Sequence, residues 1–223
     1  MEIGRSTEDL PIMAARLGDG PHAVLFVGGI HAGYAPASVG LAEDLITHLE
    51  ANPQTIPAGV TIYVVPKLNP DSENVPGDGR YNANGVDLNR NWQCNWAAMD
   101  GRGGSGPLSE AESQALSGFI DQINPEAVVF WNAPLQAGNQ RTVSPGKCQV
   151  EQDASEKLAK LYASEVSYDA KQANLGGSVT GDITDSLADQ GIAAIFVLLH
   201  SQTEANINEH LPAIVRVLGT FAP

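Results

Sequence analysis

The chain has 223 residues and a mass of 23.4 kDa, which suits one compact α/β domain or at most two small ones. Hydrophobic residues make up 43%, enough to bury a sizeable core, so disorder is excluded as the main state. Twelve Lys and Arg against 26 Asp and Glu leave a formal charge of −14, which argues against nucleic acid or an anionic membrane as main partner, since both demand a basic footprint.

Met1, Glu2, Ile3, Gly4 and Arg5 supply neither the basic start nor the apolar stretch of a signal peptide, so none is expected. A secreted domain stripped of its leader would read the same, and an extracellular or periplasmic setting is slightly favoured over a cytoplasmic one. Residues 23–27 form the first of four short, continuous apolar runs; the others are 60–65, 127–131 and 192–199. All are far too short to span a bilayer and read as strands covered on both faces. Ala42, Leu45, Ile46 and Leu49 share one helical face, with Pro36 suited to that helix's first turn. Leu116, Phe119, Ile120 and Ile123 repeat the spacing behind Ser109 and Glu112, which read as a capping box. Leu158, Leu161 and Tyr162 mark a third helix, and residues 184–190 a short fourth one stopped by Gly191. The last helix carries Ile207, Leu211, Ile214, Val215 and Leu218, with Pro212 either kinking it or starting its second part. No repeat or linker divides the chain, so residues 1–223 are read as a single α/β domain.

Two stretches, 67–107 and 132–152, do not fit scaffold duty. The first is crowded with Asn, Gly, Asp and Trp, and long irregular connections in a compact domain are usually functional. Arg80 and Arg90 stand in it, with Asn89 beside Arg90. A guanidinium fork with a neighbouring amide suits a carboxylate; the plainer reading is two solvated arginines paired with Asp71, Asp78 or Asp87. The two cysteines, Cys94 and Cys148, are either free thiols or one bridge, and lack zinc-knuckle spacing. His22, His48 and His210 read as ordinary surface or partly buried residues, and the remaining acids as a solvated surface.

Several motifs occur in order along the chain. They are Gly28-Gly29-Ile30-His31, Leu68-Asn69-Pro70-Asp71 and Gly79-Arg80-Tyr81-Asn82-Ala83-Asn84-Gly85-Val86-Asp87-Leu88-Asn89-Arg90-Asn91-Trp92. Pro107-Leu108-Ser109-Glu110 with Glu112, then Thr180-Gly181-Asp182 leading to Gly191-Ile192, continue the series. In these motifs the chain resembles zinc carboxypeptidases of the funnelin (M14) type. The resemblance implies a mixed, mostly parallel sheet sandwiched between helices.

It also implies a zinc ion held by two histidines and a glutamate, with a separate glutamate as general base. His31 matches the first ligand. The glutamate ligand should fall at Tyr34 or Ala35, the second histidine at Asn132, and the base at Leu198. Three of these four functions are missing, so His31 is expected to be a hydrogen-bonded remnant and zinc is not expected as a cofactor. By the same resemblance Asn89 and Arg90 would hold a peptide's C-terminal carboxylate, Arg80 would polarise the scissile carbonyl, and the residues around Asp182 to Asp185, Thr184 above all, would line the specificity pocket. The tyrosine that closes over substrate should lie near residues 175–178, where the sequence has none. The reading that follows is a catalytically degenerate carboxypeptidase-like domain with a pocket for a peptide or small carboxylate ligand. The alternatives are an active metallocarboxypeptidase with a rearranged site, for instance His200 and Glu204 with His31, and a structural module whose arginines only brace the loop. Oligomeric state is left open.

Overall fold

A computed structural model describes residues 1–74, 77–134, 140–149, 153–173 and 179–222. Among these the strands are β1 (Glu2–Arg5), β2 (Pro11–Met13), β3 (Ala15–Gly18), β4 (His22–Val27), β5 (Val60–Val65), β6 (Ala127–Asn132), β7 (Thr142–Pro145), β8 (Asp169–Ala170) and β9 (Ala193–Leu198). The α-helices are α1 (Pro36–Ala51), α2 (Ala111–Ile123), α3 (Asp153–Val166), α4 (Ile183–Asp189) and α5 (Ile207–Leu218).

β1 and β2 form a small antiparallel pair, and the other strands form one sheet in the order β3-β5-β4-β6-β9-β7-β8. Its centre, β5-β4-β6-β9, is parallel, whereas β3 and β7 run antiparallel to their inner neighbours. The sheet is therefore mixed and mostly parallel, as the motifs imply.

Side chains alternate across a strand, and this divides each continuous apolar run between two cores. Val24 and Phe26, with Ile62, Val64, Val129, Trp131, Ile195 and Val197, face α1, α3 and α5. Leu25 and Val27, with Val65, Val128, Phe130, Ala194 and Phe196, face α2, α4 and the buried Leu88 and Trp92 of the long loop. The loop is thus part of the second core, although it contains only short 3-10 turns such as Leu88–Arg90.

From β4 the chain crosses to β5 on one side and later returns to β6 on the other, so β4 and β6 flank a topological switch point. Register does the rest. Asn132, the last residue of β6, pairs with Leu198 of β9.

Some sequence expectations need correction. The stretch 132–152 contains β7, an edge-side strand too short to show a pattern. Ser109 and Glu112 do not form a capping box: Glu110 occupies the cap position of α2, with no side-chain cap bond. Glu112 is buried and accepts from the Thr7 N–H (2.8 Å) and Asn82 Nδ2 (3.1 Å), because a carboxylate without water needs protein donors. Asp71, Asp182 and Asp185 are also buried, so the acidic residues are not simply a solvated surface. Pro212 lies inside one helix that runs from Ile207 to Leu218 and does not start a second. His210 is fully buried, not superficial: Trp131 Nε1–H donates to the Tyr162 hydroxyl, which donates to His210 Nδ1, each at 3.0 Å.

Burial lowers the His210 pKa from 6.5 to about 4, with His200 adding to the effect. The unfolded chain then takes up the proton first, so stability is intact above pH 6.5 and is lost as pH falls towards 4. Between pH 7.5 and 4.5 this group is expected to remove about 2 kcal/mol. Urea melts of wild type and His210→Gln at both pH values test it: the wild type should lose that much more than the variant.

Candidate functional site

β4 ends at Val27, and Gly28 and Gly29 let the chain run tight against the segment after β5, with Leu68 N–H on Gly28 O and Asn69 N–H on Gly29 O. The turn that follows places His31 at the switch point, fully buried. Its Nε2–H donates to Asp87 Oδ1 at 2.8 Å. Its Nδ1 accepts from Asn132 Nδ2 at 2.9 Å, with Arg80 Nη1 at 3.4 Å. The Asn132 amide is held in that sense because its oxygen accepts the Ala133 N–H at 2.9 Å. Burial and then the Arg80 charge lower the His31 pKa, outweighing Asp87, so the imidazole is neutral with its proton on Nε2.

Asp87 is the common partner. Besides His31, its Oδ1 accepts the Asn89 N–H (2.9 Å), capping the short turn that carries Asn89 and Arg90. Its Oδ2 accepts from Arg80 Nε (2.8 Å) and Nη2 (2.7 Å). Burial alone would raise the Asp87 pKa, but the His31 N–H and the Arg80 guanidinium overcome it and hold the group far below the usual carboxylate range. Arg80 is accordingly a buried ion-paired residue rather than a solvated one.

The asparagines around it hold the loop in shape. Asn82 accepts the Val86 and Asn84 N–H groups and donates to Glu110 and Glu112. Asn91 donates to Gly103 O, Gly106 O and Ser109 Oγ. Asn89 reaches across to α4: its oxygen accepts the Ile183 N–H (3.0 Å), and its Nδ2 donates to Asp182 Oδ2 (2.7 Å). Asp182 caps α4 through the Thr184 and Asp185 N–H groups and also accepts from Thr184 Oγ1. Gly181, at φ +58, abuts the backbone of Arg90, so a side chain there would push the two segments apart.

Arg90 Nη1 donates to Asn89 O (2.6 Å) and lies 3.9 Å from Asp182 Oδ2. Its side chain is only 12% exposed, and its other N–H groups have no hydrogen-bond acceptor among the described residues. Asp185 accepts the Lys147 N–H on Oδ1 at 2.7 Å. Its pKa is pushed up to about 7 by burial and by neighbouring Asp182. A disulfide between Cys94 and Cys148 fastens this wall, which settles the two-cysteine alternative in favour of one bridge. Cys94 also donates its N–H to Ser186 Oγ and accepts that of Gly181.

Arg80, Asn89, Arg90, Asn132, Thr184 and Leu198 all line one open cleft, together with Asp182 and Asp185. His31 lies buried behind Arg80 and Asn132. Ala35 is buried at the start of α1, where its N–H donates to His31 O. His200 pairs with Glu209 (Nδ1 to Oε2, 3.7 Å) and Glu204 is exposed, so neither shares a partner with His31. Among the described residues, no three His, Cys, Asp or Glu side chains group as a metal-binding set. Residues 174–178, which include the whole stretch expected to carry the closing tyrosine, lie outside the described residues. Asp182 and Asp185, expected only as part of the pocket lining around Thr184, are the buried acids of that wall.

A mixed sheet between helix layers, with arginines gathered at its carboxyl edge, belongs to the carboxypeptidase class of fold. Bovine thrombin-activatable fibrinolysis inhibitor, solved in complex with a tick carboxypeptidase inhibitor, superposes with a TM-score of 0.82 at 17% identity, over 99% of this chain and 89% of that one. Murein-tripeptide amidase MpaA of Escherichia coli O157 gives 0.69 at 22% identity, over 98% and 90%. The zinc carboxypeptidase family model matches residues 1–210, and the chain belongs to that family. Zinc carboxypeptidase A 1 of Anopheles gambiae is 28% identical over 150 residues, covering 55% of this chain and 34% of the relative. The chain thus spans about a third of the length of that curated relative.

Replacing Asp87 by Asn keeps its shape but leaves the Arg80 charge buried without a counter-ion. Asp87→Asn is expected to cost about 3–5 kcal/mol. Urea unfolding measures this directly, and a loss below about 1 kcal/mol, the scale of an exposed pair, would show that the pair does not hold the site.

Proposed function

We propose that this chain is a catalytically degenerate zinc-carboxypeptidase-like domain that binds a peptide C-terminus, or a similar small carboxylate, at Arg90. The observation that carries the reading is the guanidinium of Arg90, nearly buried in the cleft wall with most of its donors uncommitted. A buried cation in that state is complemented by a carboxylate, which its planar fork meets in two parallel bonds. Asn89 braces α4 with its oxygen and one N–H, leaving its second N–H for the same ligand. Arg80, held rigid by Asp87, has a second Nη1 N–H, besides the one directed at His31, to offer a ligand carbonyl, and Thr184 lines the adjoining pocket.

The residues present do not fit the family's zinc. The imidazole of His31 has its proton on one nitrogen and two N–H groups directed at the other, and a metal would meet those donors rather than a lone pair. Ala35 offers no ligand atom. The Asn132 oxygen is committed to Ala133, and an amide is in any case a poor donor to a borderline-soft cation. Leu198, at the position of the base, cannot accept a proton. No hydrolytic step is therefore assigned to these residues.

Protein dialysed after exposure to zinc is expected to retain well under one zinc per chain by elemental analysis. One tightly held zinc with His31 in its shell would overturn the degenerate reading in favour of an active, rearranged site.

Calorimetry tests the carboxylate. A short free-acid peptide is expected to bind roughly thirty- to a hundredfold more tightly than its C-terminal amide, which corresponds to about 2–3 kcal/mol. Arg90→Ala should abolish the difference; equal affinity for acid and amide in the unaltered protein would remove the pocket.

A further inference from the structure

The loop that carries Arg80, Asn89 and Arg90 contains one dipeptide with a reactivity of its own, Asn84-Gly85. An asparagine side chain is open to attack by the backbone nitrogen of the next residue, and glycine, lacking a side chain, lets that nitrogen come closest. Both residues are exposed to water. The turn around them is nevertheless clamped. Asn82 Oδ1 accepts the Asn84 N–H (3.1 Å) and the Val86 N–H (3.0 Å), on either side of the susceptible peptide. The Gly85 N–H itself donates to Asn82 O (2.9 Å), and Asn84 Nδ2 donates to Glu110 Oε2 (2.8 Å). Glu110 is buried, and its carboxylate also accepts from Ser109 and Asn82. Burial would raise its pKa, but these donors together with Asn84 hold it below the usual range, so the group is charged.

We propose that Asn84 is a site of spontaneous deamidation, that the closed turn holds the reaction back, and that the acid it forms unfastens the loop of Arg80, Asn89 and Arg90. In the reaction Gly85 N bonds to Asn84 Cγ, the Cγ–Nδ2 bond breaks, and ammonia leaves with the proton from Gly85. Water then opens the cyclic imide, at one carbonyl to give aspartate and at the other to give isoaspartate. Water is the only co-reactant, and nothing is oxidised or reduced. For the nitrogen to reach Cγ, the Asn84 amide must leave Glu110 and the Gly85 N–H must leave Asn82 O, so the turn reacts only when open. Closure afterwards is opposed. Where the Asn84 amide met Glu110 there is now a second carboxylate, close to Glu112, which shares the Asn82 donor. Isoaspartate also lengthens the backbone between the two N–H groups that Asn82 clamps. Val86 leads directly into Asp87, the partner of His31 and Arg80, so the loss passes straight to the site.

Peptide mapping tests the first half on the unaltered protein. Trypsin cuts after Arg80 and Arg90 and releases residues 81–90 as one peptide. In mildly alkaline guanidinium chloride that peptide is expected to gain the mass of an amide-to-acid conversion at Asn84. In folded protein the conversion should be at least roughly tenfold slower. Equal rates with and without denaturant, or conversion in neither, overturn the proposal. Brief trypsin digestion of folded protein tests the second half, since cleavage after Arg80 and Arg90 reports how often the loop opens. Asn84→Asp should be cut there roughly tenfold faster than wild type, and Asn84→Ala, which drops the bond without adding charge, should be cut more slowly than Asn84→Asp. An Asp variant cut no faster than the Ala variant overturns the role of the new charge. Should Asn84→Asp fail to fold, wild-type protein aged to partial conversion supplies the comparison: the converted fraction should be cut first, and equal cutting overturns the unfastening.

Discussion

A carboxylate removed from water is tolerable only where donors surround it, and Asp87 is where that requirement shapes the crevice. Its donors come from three separately folded pieces of chain: the turn after β4, the Arg80 segment, and its own 3-10 turn. Each donor is thereby fixed in orientation as well as in place. Asn89, whose N–H is the donor from that turn, carries the constraint onward, since its amide fixes the start of α4. A chain of polar contacts therefore runs from the centre of the sheet to the far wall of the cleft. The Arg80 charge balances Asp87 locally, and a neutral His31 can remain buried beside the pair.

How much of this was legible beforehand follows from which residues leave a local pattern. The central strands were readable because they are buried on both faces and so are apolar without interruption. β7 and β8 were not, being short, lateral and mixed in composition, as in Thr142–Pro145. Helix faces with regular spacing were readable as well. The Ser109 and Glu112 pattern misled because the same residue types that cap a helix also anchor a loop, and only the tertiary neighbours Thr7 and Asn82 decide between the two.

In the site, Arg80, Asn89 and Arg90 stood out because they fall in a recognisable motif, and Asn132 and Leu198 because they stand at strand ends where the resemblance expects a ligand and a base. The acids did not. In a chain with 26 Asp and Glu, nothing local separates a buried carboxylate from a solvated one. The contacts that do so span 56 residues from His31 to Asp87 and 93 from Asn89 to Asp182. Register explains a further adjacency: Asn132 and Leu198 occupy the same rung of the β6–β9 ladder, so two positions 66 residues apart in sequence meet at one mouth of the cleft.

The Cys94–Cys148 bridge closes a loop of 54 residues, and that loop contains α2 and β6 as well as part of the cleft lining. Cross-linking a span of that length removes about 4 kcal/mol worth of chain freedom from the unfolded ensemble in the simple loop-closure account. Its ends matter more than its length, for Cys94 takes the Gly181 N–H and Cys148 follows the residue whose N–H reaches Asp185. The covalent tie thus joins the two backbone segments that support the acidic wall, and the redox state of the surroundings becomes a determinant of how rigid that wall is.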